Sequence, residues 1–281
     1  MILITGADGQ MGRTLKKLLK PSAALFTDID KLDVSNYDSV EKTIRENGVT
    51  CVINCAGYTD VDGAETKIDI AYAVNALGAR NVAIAAAKHN ASLIHMSTDY
   101  VFDGNNFKPY TENDTPHPIS VYGQTKLEGE LFVLKNAPNC VVLRSSWLYS
   151  EYGNNFVKSI ISLARKQTEI KVIYDQIGSP TYAGDVAKII EGLVPVVKNG
   201  VKKIYHYSNE GVCSWYGFAR EIVSLKNIKC EVLPIESQDH LSSAKRPHYS
   251  VLSKAKIKKD FGIKILYWRD SLKEAIVNID E

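Results

Sequence analysis

The chain has 281 residues, a formal net charge of +2 and five cysteines. Its length suits one large α/β domain, or a nucleotide-binding domain with a smaller lobe. The near balance of charge gives no electrostatic reason to expect nucleic acid or an anionic membrane as a partner. No apolar run approaches the roughly eighteen residues needed to span a bilayer. The N-terminus lacks the basic start of a secretion signal, so we predict a cytoplasmic protein.

In the first half of the chain, short apolar runs alternate with helical patterns. Strands are predicted at residues 2–4, 24–26, 51–54, 93–96 and 140–143. Helices are predicted at residues 11–20, 38–47, 70–89 and 122–135. This alternation predicts an α/β fold with a Rossmann-type doubly wound parallel sheet, whose ligands bind at the carboxyl ends of the strands.

After about residue 147 the pattern becomes less regular. Helices are predicted near residues 156–166, 185–194 and 215–225, and a strand near 171–174. We predict a smaller, interleaved C-terminal lobe. The dinucleotide-binding domain would comprise residues 1–147 plus about 180–208, and the substrate-binding lobe about 148–179 plus 209–281. A cleft between the two would be the usual location for a small-molecule site.

Three glycines follow the first predicted strand and open the first predicted helix. Gly6, Gly9 and Gly12 have the spacing Gly-x-x-Gly-x-x-Gly at this junction. Glycines permit a tight turn and close approach to a pyrophosphate, whose charge the helix N-terminus favours. We therefore predict dinucleotide contacts from Gly6, Gly9, Gln10, Met11 and Gly12. An ordinary tight turn is the alternative.

A carboxylate ends the second predicted strand about twenty residues after the glycine turn. Asp28 could accept hydrogen bonds from the adenosine ribose, which would favour NADH by repelling a 2′-phosphate. Arg13 could instead neutralise that phosphate, so NADPH stays open. The alternative for Asp28 is a solvated loop carboxylate.

Further cofactor contacts are expected on both sides of the strand predicted at residues 51–54. Small residues follow the strand at 51–54 and would allow close backbone approach, although a simple loop is the alternative. The complete set of further predicted cofactor contacts is Asp33, Val34, Ala56, Gly57, Tyr58 and Thr59.

Tyr122 and Lys126 form the one Tyr-x-x-x-Lys in the chain, a spacing that chance alone could supply. On a helix, positions i and i+4 lie on one face, so the lysine ammonium could sit beside the phenolic oxygen. A free tyrosine has a pKa of about 10. A neighbouring ammonium would lower that pKa and make Tyr122 a general acid near neutral pH. We predict that both residues also contact the cofactor.

Hydroxyl groups follow the predicted strand at residues 93–96. Thr98, within Ser97-Thr98-Asp99-Tyr100, could hydrogen-bond a substrate oxygen or tune Tyr122. An isolated Ser-Thr pair would more often cap a helix or turn. Together with the glycine turn and the Tyr/Lys pair, we assign Thr98 to the catalytic site.

With these residues in place, the chain resembles the extended short-chain dehydrogenase/reductases and, within them, the dTDP-4-dehydrorhamnose reductases. The resemblance covers essentially the whole length. Its motifs are the glycine turn, Ser97-Thr98-Asp99-Tyr100-Val101-Phe102, Tyr122-Gly123-Gln124-Thr125-Lys126, Arg144-Ser145-Ser146-Trp147, Gly153-Asn154-Asn155-Phe156, Asp175-Gln176-Ile177-Gly178-Ser179-Pro180-Thr181 and Arg246-Pro247.

The resemblance implies NAD(P)H-dependent reduction of the C4 ketone of dTDP-4-dehydro-6-deoxy-L-mannose to dTDP-L-rhamnose. Tyr122 would donate the proton, Lys126 would lower the pKa of Tyr122 and hold the nicotinamide ribose, and Thr98 would assist. Asp99 and Trp147 match positions that contact the sugar nucleotide, although a lone tryptophan is usually core packing. Arg246 could meet the diphosphate or form a surface ion pair.

Metal and oligomeric state follow less directly. Some relatives bind Mg2+ at a dimer interface using a glutamate early in the first helix, whereas this chain has Arg13-Thr14-Leu15 there. The cysteines and histidines do not form a zinc-site pattern. We assign no metal ligand, leave Mg2+ open, and expect a monomer or homodimer.

Three alternatives remain. A 4,6-dehydratase or epimerase shares the fold, but dehydratases need an acidic residue after the Thr-Asp pair, and this chain has Tyr100 there. A non-catalytic NADP-binding regulatory subunit is disfavoured by the presence of Thr98, Tyr122 and Lys126. A reductase of a related dTDP-4-ketosugar would carry the same residues.

Overall fold

The computed structural model describes residues 1–20 and 22–279. Within these ranges the strands are β1 (Ile2–Thr5), β2 (Ala24–Thr27), β3 (Cys51–Asn54), β4 (Ser92–Thr98), β5 (Cys140–Ser145), β6 (Leu148–Tyr149), β7 (Glu169–Ile173), β8 (Ile177–Gly178), β9 (Thr181–Tyr182), β10 (Lys202–Tyr207), β11 (Cys213–Ser214) and β12 (Glu231–Ile235).

The helices in the same ranges are α1 (Gln10–Leu18), α2 (Tyr37–Glu46), α3 (Val61–Ala64), α4 (Ile68–Tyr72), α5 (Ala79–Lys88), α6 (Val121–Asn136), α7 (Phe156–Lys166), α8 (Ala183–Leu193), α9 (Trp215–Leu225), α10 (Ala255–Phe261) and α11 (Trp268–Ile276). A π-helical segment at Ala73–Gly78 joins α4 to α5, and a 3₁₀ turn at Asp99–Val101 follows β4.

The central sheet contains six strands in the order β10-β5-β4-β3-β1-β2. Every neighbouring pair in it is parallel. Parallel strands need crossover connections, and apolar cores cover both faces of this sheet. Helices α1 and α8 pack together on one face, and α2, α5 and α6 on the other. The predicted Rossmann-type doubly wound fold is confirmed.

The register brings polar side chains together at the carboxyl end of the sheet. Thr5 pairs with Asn54, and Asn54 pairs with His95. Further along, Thr98 pairs with Ser145. Since the carboxyl ends of parallel strands meet at one edge, the segments that follow β1, β3, β4 and β5 lie around one cleft.

A second apolar core lies in the C-terminal part of the chain. It is built mainly by α7, α9 and α11, with β7 paired in parallel to β12. Short ladders link β6 to β9 and β8 to β11. The helices predicted at 156–166 and 215–225 are confirmed. Strand β10, which closes one edge of the main sheet, was not predicted from the sequence, although its residues fell within the predicted dinucleotide-binding domain.

The helix predicted at residues 70–89 differs from the structure. It begins at Ile68, ends at Lys88 and contains the π-helical segment Ala73–Gly78. By length and composition, Ile68–Lys88 is long and apolar enough to cross a membrane, contrary to the expectation from the sequence. A buried core helix passes the same test, and most of this helix's tested window is buried, so it is weak evidence for a membrane span.

Candidate active site

A cleft of about 870 Å³ lies at the carboxyl end of the central sheet, bordered by residues of the C-terminal core. Most of the site residues predicted from the sequence line it. These are Gly6, Gly9, Gln10, Met11, Asp28, Asp33, Val34, Ala56, Gly57, Tyr58, Thr59, Thr98, Asp99, Tyr122, Lys126 and Trp147. Gly12 and Arg246 are the two predicted residues that do not line it.

The glycine turn is fixed by close backbone packing. Gly6 has a φ of +64°, and a Cβ at this position would lie 2.6 Å from the backbone nitrogen of Ala56. Only glycine meets both conditions without strain. A Cβ at Gly12 would overlap the backbone of Ala7, so this glycine lets helix α1 pack on the turn that the cofactor is expected to approach.

Helix α1 presents an open N-terminus to the cleft. Its N-cap, Gly9, supplies no side-chain hydrogen bond, and its first turn carries no acidic residue. The backbone N–H groups of the first turn lack intrahelical partners, and the helix dipole favours an anion there. These features fit the pyrophosphate of a dinucleotide.

Asp28 is held at the end of β2 by the turn itself. One carboxylate oxygen accepts a hydrogen bond from the Asp8 backbone N–H at 2.8 Å, and the other from the Ile29 N–H at 2.8 Å. These two hydrogen bonds fix the half-buried carboxylate beside the glycine turn. Its remaining lone pairs can accept from ribose hydroxyls.

The Tyr58 loop is anchored by the π-helical segment. The side chain of Asn75 accepts from the Tyr58 N–H at 2.8 Å and donates to the Tyr58 carbonyl at 3.1 Å. It also donates to the Thr125 hydroxyl at 3.1 Å, which ties the loop to α6. Local π-helical turns recur at functional sites. Asn75 was not predicted from the sequence, because its role depends on this irregular helical turn.

Helix α6 carries the Tyr/Lys pair. It begins after Ser120, whose hydroxyl accepts from the Gly123 N–H at 3.2 Å, and it places Tyr122 and Lys126 in the cleft. The Lys126 ammonium donates to the Met96 carbonyl at 2.6 Å. Burial lowers the pKa of Lys126 to about 8, and the neighbouring Glu130 carboxylate opposes that shift.

The pKa of Tyr122 differs from the prediction. Burial raises it to about 12, the Thr98 hydroxyl lowers it, and the Asp99 carboxylate raises it. Lys126 is not among the groups that shift it, because the ammonium is directed to Met96. Tyr122 is therefore fully protonated at neutral pH, in the form that a proton donor requires.

Thr98 and Asp99 end β4 beside Tyr122. The Thr98 hydroxyl donates to Asp99 Oδ1 at 3.1 Å and accepts from the Tyr100 N–H at 3.1 Å. The other carboxylate oxygen of Asp99 is buried without a hydrogen-bond partner. Burial raises the pKa of Asp99 to about 6. Because buried polar atoms are normally paired, this oxygen is suited to accept from a bound hydroxyl group.

An aromatic wall forms one side of the cleft. Trp147 stacks on Trp215 with ring centroids 3.5 Å apart, and Phe156 packs against Trp215. Trp147 has a φ of +48°, a strained conformation for a bulky residue. Such strain clusters at functional sites. Trp147 therefore packs against the C-terminal core and also lines the cleft, so core packing and a contact with a ligand are compatible roles for it.

Gly178 leaves the room that Trp147 occupies. A Cβ at this position would overlap the Trp147 indole ring. We expect Gly178→Ala to displace the ring and to raise KM for the sugar nucleotide about tenfold or more, with cofactor affinity unchanged. Steady-state kinetics and cofactor titration measure both. Gly192→Ala is the control, since Gly192 lies in α8 with open space around its Cβ. Unchanged KM in Gly178→Ala would contradict the assignment of Trp147.

Arg246 forms the ion pair that was the alternative to diphosphate binding. Its guanidinium contacts Asp62 at 2.5 Å. Asp62 also accepts from the Ser242 hydroxyl at 2.9 Å and the Ala244 N–H at 3.0 Å. Burial raises the pKa of Tyr100, which lines the cleft, and the neighbouring Arg246 guanidinium opposes this shift, so the ion pair lies beside the cleft. The Asp62 pair thus fastens residues 242–246 to α3.

Several cleft residues were not assigned to the site from the sequence. Trp215 and Phe218, on α9, carry no local signal because they reach the cleft only through tertiary packing. Within the described ranges, groups of three or more His, Cys, Asp or Glu side chains suited to a metal ion are absent.

The parallel Rossmann sheet, the glycine turn and the Tyr122/Lys126 pair on α6 define a nucleotide-dependent oxidoreductase of the short-chain dehydrogenase/reductase type. The family model described as RmlD substrate binding domain matches residues 1–280, and the chain belongs to this family. The resemblance predicted from the sequence motifs is confirmed.

Named relatives agree with this family. The chain is 42% identical to the dTDP-4-dehydrorhamnose reductase of Aggregatibacter actinomycetemcomitans, with 97% of each chain covered. It is similar to the crystal structure of a dTDP-4-dehydrorhamnose reductase from Clostridium acetobutylicum, with a TM-score of 0.94, 42% identity and 98% of each chain covered. It is also similar to that of Bacillus anthracis in complex with NADP, with a TM-score of 0.94, 40% identity and 98% coverage of each.

Proposed function

We propose that the protein reduces the C4 ketone of dTDP-4-dehydro-6-deoxy-L-mannose to give dTDP-L-rhamnose, with NADPH as the cofactor and NADH as an alternative. The observation that carries this proposal is the shared cleft, in which Thr98, Tyr122 and Lys126 stand beside the glycine turn. The names of the relatives at 40–42% identity supply the sugar nucleotide. The product is a precursor for polysaccharide synthesis in the cytoplasm.

The reduction needs one hydride and one proton. A reduced nicotinamide supplies the hydride to C4 when it is bound. Tyr122 donates its phenolic proton to the carbonyl oxygen as negative charge develops there, and Thr98 hydrogen-bonds the same oxygen. Lys126, as an ammonium beside Tyr122 on α6, would hold the nicotinamide ribose. Solvent then returns a proton to Tyr122.

The cofactor half of the cleft is assigned to the chain's first strands. Gly6, Gly9, Gln10 and Met11 would hold the pyrophosphate, and Gly12 would support the turn from behind. Asp28 would accept from the adenosine ribose. A fixed carboxylate here opposes a 2′-phosphate, whereas Arg13 would favour it, and the Bacillus anthracis relative binds NADP. We therefore expect both cofactors to be used, with NADPH preferred.

The remaining cofactor contacts come from loops beyond the turn. We propose that Asp33 and Val34 border the adenine, and that the loop after β3 lies along the dinucleotide. This loop contributes Ala56, Gly57, Tyr58 and Thr59.

The substrate half is assigned to the C-terminal lobe. Residues about 148–179 plus 209–281 would form it, and residues 1–147 plus about 180–208 the dinucleotide-binding domain. The position of β10 in the central sheet supports this division. Asp99 and Trp147 would contact the sugar, and Arg246 would meet the diphosphate by exchanging its bond to Asp62. The active protein is a monomer or homodimer, and the assay below decides whether it requires Mg2+.

The test is an absorbance assay of the purified protein with the authentic 4-keto sugar nucleotide. We expect oxidation of NADPH and slower oxidation of NADH, and a rate that EDTA lowers would indicate a metal requirement. A lack of oxidation with either cofactor would contradict the proposal. In that case, tight NADPH binding without turnover would identify a regulatory subunit, and turnover with another dTDP-4-ketosugar would identify a related reductase.

A further inference from the structure

A third polar residue shares the helix face of the Tyr/Lys pair. Tyr122, Lys126 and Glu130 follow one another at intervals of four on α6, so they lie on one face. The Glu130 side chain is only 1% exposed. A carboxylate so deeply buried requires partners that offset its loss of hydration.

Those partners come from two neighbouring strands. Arg144 on β5 donates two hydrogen bonds to Glu130, from Nε at 2.8 Å and from Nη2 at 2.6 Å. Ser97 on β4 donates its hydroxyl proton to the same carboxylate. The Arg144 side chain is itself only 2% exposed. The Glu130 carboxylate is therefore held in one position by Arg144 and Ser97.

His206 holds the other side of the guanidinium. Its Nε2 lies 3.4 Å from Arg144 Nη1, and its Nδ1 lies 3.1 Å from the Tyr110 carbonyl. Burial, with the Arg144 charge, lowers the pKa of His206 to about 3, so the ring is neutral. Since a carbonyl only accepts, Nδ1 carries the proton, and Nε2 accepts from Arg144. Glu130 and His206, which lies on β10, therefore hold the Arg144 guanidinium between them.

The ion pair has no clear advantage for stability. Replacing a buried ion pair with well-packed apolar residues is often neutral or stabilising. The pair does lie one helical turn from Lys126 on the same face of α6. Burial lowers the pKa of Lys126 to about 8, and the Glu130 carboxylate opposes this shift.

The groups around Lys126 come from three elements. On α6 they are Tyr122 and Glu130, on β4 the Met96 carbonyl and His95, and after β3 the thiol of Cys55. Burial lowers the pKa of His95 well below its ordinary value and raises that of Cys55 to about 12, so both are neutral near pH 8. Of these neighbours, Glu130 carries the negative charge.

We propose that Glu130 is a positioning residue that acts through Lys126, and that its carboxylate, held by Arg144 and Ser97 one helical turn away, keeps the Lys126 side chain charged at the cleft, where the Met96 carbonyl holds the ammonium. The inference deepens the proposed function and rests on it for its consequence, since a charged Lys126 is the form that would hold the nicotinamide ribose. Glu130 touches neither substrate nor cofactor in this scheme.

The test is a pH titration of lysine ¹³Cε resonances in the full-length, cofactor-free protein. The resonance with a midpoint near pH 8 is assigned by its loss in Lys126→Met. Glu130→Gln keeps the shape of the side chain and removes its charge, so we expect the midpoint to fall by about one pH unit or more. An unchanged midpoint would overturn the proposal.

Arg144→Met is the control for a general loss of packing around α6. This change leaves the carboxylate and removes the guanidinium, so the Lys126 midpoint should rise or stay the same. A fall in both single variants would indicate a disturbed helix and would contradict the proposal. Circular dichroism and Tm report folding in each case.

Each single variant leaves one buried charge without its partner and could fail to fold for that reason, so a double variant is also needed. Glu130→Gln with Arg144→Met leaves neither charge buried, so it is expected to fold. Its Lys126 midpoint should again lie below that of the parent, and a parental midpoint would overturn the proposal.

The titration needs neither substrate nor turnover. An inactive parent protein would therefore refute the proposed reaction and leave the role of Glu130 standing. An unchanged midpoint would refute the role of Glu130 and leave the proposed reaction standing.

Discussion

Tyr122→Phe is expected to lower turnover of the 4-keto sugar nucleotide by about 10²–10⁴-fold, the usual contribution of a general acid. The phenyl ring keeps the packing of Tyr122 against Tyr100, whose ring centroid is 5.5 Å away, but it has no proton to donate. Binding of NADPH should weaken by no more than about tenfold, because the phenol would contribute only one hydrogen bond to it. Steady-state kinetics and fluorescence titration measure the two effects separately.

Tyr216→Phe is the matched control for this change. Tyr216 is a partly buried tyrosine of α9 that packs on the C-terminal core and is not among the residues that line the cleft. Its turnover should equal that of the parent. If Tyr122→Phe also turned over like the parent, Tyr122 would not be the proton donor, and Thr98 or Asp99 would have to supply the proton.

Gly6→Ala is expected to have the second large effect, on both folding and cofactor binding. The new Cβ would require a left-handed backbone, which costs about 1–2 kcal/mol, and would press on the Ala56 backbone nitrogen at 2.6 Å. Neither the turn nor the strand end can yield without moving the loop that carries Gly57. We expect Kd for NADPH to rise about 100-fold, measured by calorimetric titration.

Gly48→Ala separates the two causes. Gly48 also has a positive φ, +56°, but a Cβ there would meet open space. It should therefore lose only the conformational contribution, about 1 kcal/mol, with NADPH affinity unchanged. Denaturant unfolding measures this loss. If Gly6→Ala behaved like Gly48→Ala, close packing of the turn against Ala56 would not be what makes the glycine necessary.

Much of the central sheet could be predicted because its signals are local. Buried parallel strands are short and apolar, as in Cys51–Asn54, and the helices between them carry a clear polar face. Strand β10 was missed because Lys202, Lys203 and His206 interrupt its apolar pattern. His206 is buried by a contact with Arg144, and nothing near it in the sequence signals that contact.

The site was predictable where residues follow the ends of strands. Thr98 and Tyr122 reach the cleft because a parallel sheet gathers such positions at one edge. Trp215 reaches Trp147 across 68 positions, through the packing of α9 alone. The electrostatics of the Tyr/Lys pair also depended on tertiary structure. Burial raises the pKa of Tyr122, and the Met96 carbonyl, which no spacing rule identifies, takes the Lys126 ammonium.

Transfer of hydride to C4 of the sugar nucleotide is tested most directly by isotope labelling. The full-length protein is supplied with dTDP-4-dehydro-6-deoxy-L-mannose and with NADPH that carries deuterium at both C4 positions of the dihydronicotinamide, and the product is read by NMR. We predict dTDP-L-rhamnose with deuterium at C4 of the sugar. A product with deuterium elsewhere, the C4 epimer, or unlabelled product would contradict the proposed reaction.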